Sequence, residues 1–127
     1  MPPRISEFAT LIVARHWTQQ FEWFVHVPLA LKAGTAKTTI DELADGARPT
    51  GMSAEEALVY DFACELSLNR GVYDGTYRKA VETFGERGVV YLVGIIGYFT
   101  LISMVLNVAH TPPEPSSAVA ALPPMPR

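Results

Sequence analysis

The chain contains one cysteine, Cys64, among its 127 residues. A single thiol can form neither an intrachain disulfide nor a pair that cycles between dithiol and disulfide, so thiol-pair redox chemistry within one chain is excluded. Nothing in the sequence around Cys64 activates the thiol, and the amphipathic pattern there predicts a small core residue. A chain without disulfides fits a cytoplasmic location.

Charge is also scarce, because charged residues make up 18% of the chain and the formal net charge is -3. Without a long basic run, the chain has no electrostatic attraction for nucleic acid or an anionic membrane surface. The N-terminal residues lack the continuous apolar core of a signal peptide. His16, Glu22 and His26 do not follow the H-E-x-x-H spacing of a zinc site, and no Gly-rich phosphate loop occurs. We therefore expect a cytoplasmic protein with no metal and no nucleic-acid partner.

No charged residue occurs from Val89 to Ala109, and apolar side chains dominate this segment. Its length and composition allow a membrane span, which is the alternative interpretation. Polar residues such as Asn107 lie in its second half, and no positive cluster marks a cytoplasmic flank. We prefer a buried central or interface helix and expect no membrane partner. An apolar helix needs cover on every side, which a domain of this size hardly supplies, so we also expect a homo-oligomer.

No alternating strand pattern occurs, so the sequence predicts an all-α fold of about six helices. We expect one helical domain over residues 1–111, followed by an extended or disordered Pro/Ala-rich tail over 112–127. Pro28 should bend or restart the second helix. The predicted caps are Thr18 for the second helix, Thr38 with Asp41 for the third, Ser53 with Glu56 for the fourth and Asp74 for the fifth. The predicted helices cover about 3–17, 19–34, 38–45, 53–69, 75–84 and, after Gly85, an apolar helix to about 110.

The candidate site centres on Glu22 and His26. Their spacing of four residues places a carboxylate and an imidazole on one helix face, among bulky apolar neighbours. His26 is then either a general acid/base oriented by Glu22 or a buried histidine bonded to a carbonyl that Pro28 frees. Glu7 and Arg15 on the first helix are further candidates, since arginine suits a carboxylate ligand. The alternative for Glu7 and Arg15 is an ordinary ion pair on a solvated face.

The order and spacing of many short segments resemble the carboxymuconolactone decarboxylase family over nearly the whole chain up to the tail. The resemblance implies an all-α fold, shared with the alkylhydroperoxidase D-like proteins, in an orthogonal bundle that assembles through its apolar helix as a dimer, trimer or hexamer. The matching segments are Pro2-Pro3-Arg4, Glu7, Val13 to Trp17, Phe21 to Trp23, His26, Pro28 to Gly34, Val59 to Ala63, Thr76-Tyr77, Gly88 to Val90, Gly97 to Leu101, Met104, Leu106, Asn107 and Pro112-Pro113.

The peroxidase relatives carry a glutamate, two cysteines in C-x-x-C spacing and a histidine at the active site. Carried over to this chain, Glu7 matches the glutamate and His26 the histidine, whereas Gln19 and Glu22 occupy the cysteine positions. A peroxidase cycle needs an attacking and a resolving thiol. The resemblance therefore disfavours peroxiredoxin activity, which is kept as an alternative.

The decarboxylase branch, by resemblance, implies a lyase that acts without a cofactor on a small unsaturated lactone carrying carboxylates. His26 would deliver a proton, Glu22 and Glu7 would set its protonation, and Arg15, with Gln19 beside the site, would bind the substrate carboxylate. A non-catalytic oligomeric binding protein is the remaining alternative, and it predicts that Glu7, Glu22 and His26 do not converge on a cavity.

Overall fold

The computed structural model describes residues 1–114 and 118–125, and these ranges contain helices but no strand. The all-α prediction is therefore confirmed. Within these ranges the structure has five helices rather than about six, because one long helix joins the predicted fifth and sixth helices. The predicted boundary between them is present as a kink at Gly85, where the backbone is not helical (φ 74°, ψ 167°). Glycine adopts this backbone conformation without a steric penalty. The helices are α1 (Pro3–Trp17), α2 (Gln20–Ala33), α3 (Lys37–Ala44), α4 (Ala54–Asn69) and α5 (Asp74–Ala109).

Helix α1 lies at the centre of the core and packs against α2, α4 and α5. The predicted apolar stripe of Ile5, Phe8, Leu11 and Ile12 is fully buried. The small residues between them are buried too, because neighbouring helices cover α1 on more than one side. A central helix of this kind fixes the positions of its own polar residues relative to α2.

The junction between α1 and α2 is only two residues long. Thr18 adopts a left-handed conformation (φ 45°, ψ 46°), and its N–H donates to the last carbonyls of α1. It therefore ends α1 instead of capping α2, and the predicted Thr18 cap is wrong. Gln19 caps α2, since its side-chain oxygen accepts from the backbone N–H of Glu22 at 2.9 Å.

Two further local predictions concern α2 and α3. Of the two outcomes predicted for Pro28, a bend or a restart, the restart does not occur, because α2 continues through Pro28 to Ala33. In α3 the N-cap residue is Ala36, which has no side-chain acceptor, so the predicted capping box of Thr38 and Asp41 does not form. Asp41 instead pairs with Lys37 one turn away, at 2.8 Å.

The start of α4 follows the prediction. Ser53 accepts from the backbone N–H of Glu56, and the Glu56 side chain accepts from the Ser53 N–H, which completes a capping box. At the start of α5 the cap is Tyr73, without a side-chain bond, so the predicted Asp74 cap is one residue too late.

Of the predicted tail, residues 112–114 and 118–125 are described, and the segment 118–125 packs on the helices. Val119 and Leu122 are buried, and the Gln20 side chain bonds both the N–H and the carbonyl of Leu122. The segment has no regular secondary structure. Residues 115–117 and 126–127 of the predicted tail lie outside the described residues.

Helix α5 is long and apolar enough to cross a membrane, judged by length and composition alone; its most apolar 18-residue window has a mean hydropathy of 2.3. Only 22% of that window is buried by the rest of the chain. In a single chain, α5 is therefore not a buried central helix. That α5 forms an interface between chains stays a prediction. One side packs inward through Val89, Leu92, Ile96 and Ser103, while the opposite side leaves large apolar residues exposed.

We predict that Ser53→Ala lowers the free energy of unfolding by about 1 kcal/mol, because it removes one half of the capping box and leaves the Glu56 N–H without its acceptor. The measurement is chemical denaturation of both chains. Thr38→Ala is the matched control, since Thr38 lies in the first turn of α3 without capping it. A Ser53→Ala loss no greater than that of Thr38→Ala would contradict the capping assignment.

Candidate functional site

The structure brings Glu7, Glu22 and His26 into direct contact. His26 Nδ1 lies 2.7 Å from Glu7 Oε2, and His26 Nε2 lies 3.0 Å from Glu22 Oε2. The histidine and Glu22 come from successive turns of α2, as their spacing predicts, and Glu7 comes from α1. One imidazole is thus held between two carboxylates on adjacent helices. We refer to these three residues as the carboxylate–histidine cluster.

The local structure of α2 explains how Glu22 and His26 are placed in the carboxylate–histidine cluster. Glu22 is in the first turn of α2, where the helix dipole favours a negative charge, and its backbone N–H is held by Gln19. His26 follows one turn later on the same face. Since α1 and α2 pack along each other, Glu7 reaches the opposite side of the same ring.

The cluster is largely shielded from water. The side chains are 13% exposed for His26, 9% for Glu22 and 21% for Glu7. Phe99 of α5 packs against the imidazole edge to face, with ring centroids 5.1 Å apart, and Tyr98 packs against Phe99 in the same way. In such surroundings a hydrogen bond to a charged group is stronger than in water, and a charged group without a partner is costly to bury.

The two contacts of the imidazole differ in geometry. The contact of His26 Nδ1 with Glu7 Oε2 has the geometry of a hydrogen bond, whereas the contact of Nε2 with Glu22 Oε2 lies within ion-pair distance. A neutral imidazole donates through one nitrogen and accepts through the other, whereas a carboxylate only accepts. The ring can therefore donate to one carboxylate in its neutral form and to both in its protonated form.

Both ring nitrogens of His26 face carboxylates. The alternative in which His26 only bonds a carbonyl freed by Pro28 therefore has no support from the geometry. The cluster itself has the composition of a general acid/base: a titratable donor, two groups that orient it and an aromatic shield. The contact of Phe99 could not be found from the sequence, because nothing in the α5 pattern distinguishes it from an ordinary core residue.

Arg15 does not join the cluster. Its guanidinium, which is nearly fully buried, donates through Nη1 to the Ala44 carbonyl at 2.6 Å and through Nη2 to the Pro123 carbonyl at 2.8 Å and to Thr18 Oγ1 at 2.9 Å. These partners lie at the end of α3, in the C-terminal segment and at the end of α1. The structure thus gives no support to the predicted contact between Arg15 and a substrate at His26.

Gln19 lies beside the cluster without contacting His26. Its amide nitrogen donates to Asn107 Oδ1 at 2.9 Å, and its oxygen holds the Glu22 N–H. Asn107 in turn donates to the carbonyl of Trp17. Gln19 therefore connects α2 to α5 and positions Glu22, which is a structural contribution to the site.

Glu7, Glu22 and His26 line none of four cavities that lie elsewhere in the described part of the chain. Within residues 1–114 and 118–125, no three histidine, cysteine or acidic side chains are grouped as a metal ion requires. The cluster lies at a shielded edge between α1, α2 and α5.

Compared with models of protein families, with curated proteins and with solved structures, the chain matches none.

We predict an energetic coupling of about 1–3 kcal/mol between Glu7 and His26, because the contact is short, shielded and charge-assisted. It is measured as a double-mutant cycle in the free energy of unfolding with Glu7→Ala, His26→Ala and the double variant.

The same cycle on Arg4 and Glu55 is the control. That pair is longer, at 3.6 Å, and more exposed, so its coupling should stay below about 0.5 kcal/mol. Equal couplings in the two cycles would show that the contact of Glu7 with His26 is no stronger than a surface ion pair.

Proposed function

We propose that the protein is an acid/base lyase of the carboxymuconolactone decarboxylase type, which decarboxylates or isomerises a small carboxylated lactone without a cofactor. The observation that carries this proposal is the His26 ring held between Glu7 and Glu22. A reaction that protonates carbon requires a positioned proton donor that is shielded from water, and the imidazole of His26 can act as this donor.

The proposed chemistry needs one proton transfer. The bond between the ring carbon and the substrate carboxylate breaks, carbon dioxide leaves, and the electron pair enters the conjugated lactone as a dienolate. The protonated His26 then delivers its proton to carbon, and solvent returns a proton to the imidazole. Glu7 and Glu22 keep the imidazole ring oriented and stabilise its protonated form before the substrate binds.

Thiol peroxidase activity is the less supported alternative. Gln19 and Glu22 stand where the peroxidase relatives carry cysteines, and Cys64 lies on α4 in contact with His16, not His26. Burial raises the pKa of the Cys64 thiol, so the reactive thiolate is a minor species at neutral pH. Hydroperoxide consumption that is abolished by Cys64→Ser would restore this alternative.

A non-catalytic binding protein is favoured by one observation, namely that the cluster lines none of the four cavities described above. A second copy of the chain removes this objection. The outward face of α5 carries eight large apolar residues that are each two-fifths or more exposed, which is more than a monomer leaves uncovered. These residues, here called the α5 face, are Val90, Tyr91, Val93, Tyr98, Leu101, Met104, Val105 and Val108.

Three features of the α5 face favour a second copy as its partner. The face has no charge from Val89 to Ala109, so a charged partner gains nothing there. Gly94 and Gly97 have open space where a Cβ would stand, which lets another helix approach closely. The inward side of α5 packs on α1, so the helix cannot be surrounded by lipid without the whole bundle.

The α5 face also adjoins the cluster. Tyr98, which is more than half exposed, packs on Phe99, and Phe99 packs on His26. A second chain seated on Tyr98 would therefore cover the outer side of the cluster and turn its edge into an enclosed pocket. We propose a homo-oligomer built through α5, in which the neighbouring chain completes the active site.

We predict that His26→Ala slows the release of carbon dioxide from 4-carboxymuconolactone by about 10²–10⁴-fold, the range that loss of a general acid gives. Glu22→Gln and Glu7→Gln should each reduce kcat by smaller factors, because they disturb the position and charge of the ring and leave it in place. Steady-state carbon dioxide release is the measurement.

His110→Asn is the control for this series, since His110 ends α5 in an exposed left-handed position that asparagine also adopts. It should retain the parent rate. If His26→Ala turns over the lactone within a few-fold of the parent chain, the proposed role of His26 is wrong.

We predict that Val105→Glu weakens self-association at least about tenfold, since it places a charge in the centre of the α5 face. Sedimentation velocity over a concentration series measures this. Leu68→Glu, at an even more exposed apolar position on α4, is the control and should associate like the parent. A parent chain that stays monomeric up to about 100 µM, or that enters detergent in preference to buffer, would contradict the proposal.

A further inference from the structure

The best-formed cavity of the molecule lies away from the carboxylate–histidine cluster and is not used by the proposed reaction. Its volume is about 460 Å³, within the range of small-molecule sites. It opens between the ends of α1 and α3, the outer side of α4 and the C-terminal segment. Most of its wall is apolar or aromatic, from Trp17, Leu43, Tyr60, Leu68 and Met125.

The C-terminal segment completes this wall. Arg15 holds the segment by donating to the Pro123 carbonyl, and Leu122 is buried against the helices. Met125 then lies against Gly46, where an added Cβ would approach the methionine methyl to 2.7 Å. Gly46 has a positive φ of 84° as well, so the close packing of Met125 depends on a glycine at this position.

Polar groups converge at one part of the cavity. Cys64 Sγ lies 3.7 Å from His16 Nε2, and Tyr60, one turn before Cys64 on α4, lines the cavity as well. Ser67, one turn further along α4, adds a hydroxyl to the lining. A mostly apolar wall with a few convergent hydrogen-bonding groups is the arrangement that orients a small ligand.

We infer that this cavity is a second site, which binds a small uncharged ring compound bearing one hydrogen-bonding group, such as a hydroxyl. The ring lies against Trp17 and the aliphatic wall, and its polar group meets the side chains of His16, Cys64 and Tyr60.

The charge state of the lining supports the choice of an uncharged ligand. Burial, together with the charge of Arg15, lowers the pKa of His16, while burial raises the pKa of the Cys64 thiol and raises that of Tyr60 to about 12. These three groups are therefore mainly neutral at pH 7. The remaining ionised group in the lining, Arg15, already donates through Nη1 to the Ala44 carbonyl and through Nη2 to the Pro123 carbonyl and to Thr18 Oγ1. A charged ligand would thus meet mainly neutral groups, which do not repay the cost of removing it from water.

The test compares two probes that share a naphthalene ring, the neutral 1-naphthol and the anionic 1-naphthoate, by isothermal titration calorimetry of the full chain. We expect 1-naphthol to bind, and 1-naphthoate to bind at least about tenfold more weakly. Because Cys64 lines the cavity, saturating 1-naphthol should also slow its alkylation by iodoacetamide. No 1-naphthol binding at 1 mM, on the order of the weakest specific affinity, would overturn the inference. Equal affinity for the two probes would overturn the uncharged class.

Two variants locate the binding. Ser67→Trp fills the cavity from an exposed position, and Leu68→Trp does so from the next residue, so one remains informative if the other is unstable. Each should weaken 1-naphthol binding at least about tenfold, whereas Thr38→Trp, at an exposed position of α3 outside the lining, should bind like the parent. Binding that survives both tryptophan variants, or alkylation of Cys64 that 1-naphthol does not slow, would show that the probe sits elsewhere.

Discussion

One imidazole shared by two carboxylates is the interaction on which the account of this protein depends. Glu7, Glu22 and His26 are mostly withdrawn from water, and each would be costly to bury without the others. Their mutual contacts also join α1 to α2, so the site and the core are built by the same helix pair. The two-residue connection at Thr18 and Gln19 sets the register in which Glu7 faces His26.

The sequence was sufficient where the interaction is local. The spacing of Glu22 and His26 predicted one face of one helix, the apolar stripe of α1 predicted its burial, and Ser53 with Glu56 predicted a capping box. The sequence was insufficient where the packing of several segments determines the role of a residue. Thr18 has the chemistry of a cap but is left-handed, because the chain must reverse there. Arg15 has the chemistry of a carboxylate ligand, but buried carbonyls of α3 and the C-terminal segment take up its nitrogens.

The two ends of the molecule have different physical characters. At the cluster, ionisable groups meet beside the uncovered α5 face, and the neighbouring chain that we propose would finish the enclosure. At the second cavity, the C-terminal segment of the same chain forms part of the wall, and the polar groups other than Arg15 are mainly neutral. An imidazole between two carboxylates suits proton transfer, whereas a mainly neutral lining suits binding without chemistry, and this contrast separates the two proposed sites.

The most direct test of the central claim is nuclear magnetic resonance of the ring nitrogens in ¹⁵N-histidine-labelled protein. The account predicts that Glu7→Gln moves chiefly the Nδ1 resonance of His26 and that Glu22→Gln moves chiefly its Nε2 resonance, because each carboxylate contacts one nitrogen. The exposed His110 serves as the internal reference and should move in neither variant. Resonances of His26 that respond no more than those of His110 would contradict the shared imidazole and the proposed function with it.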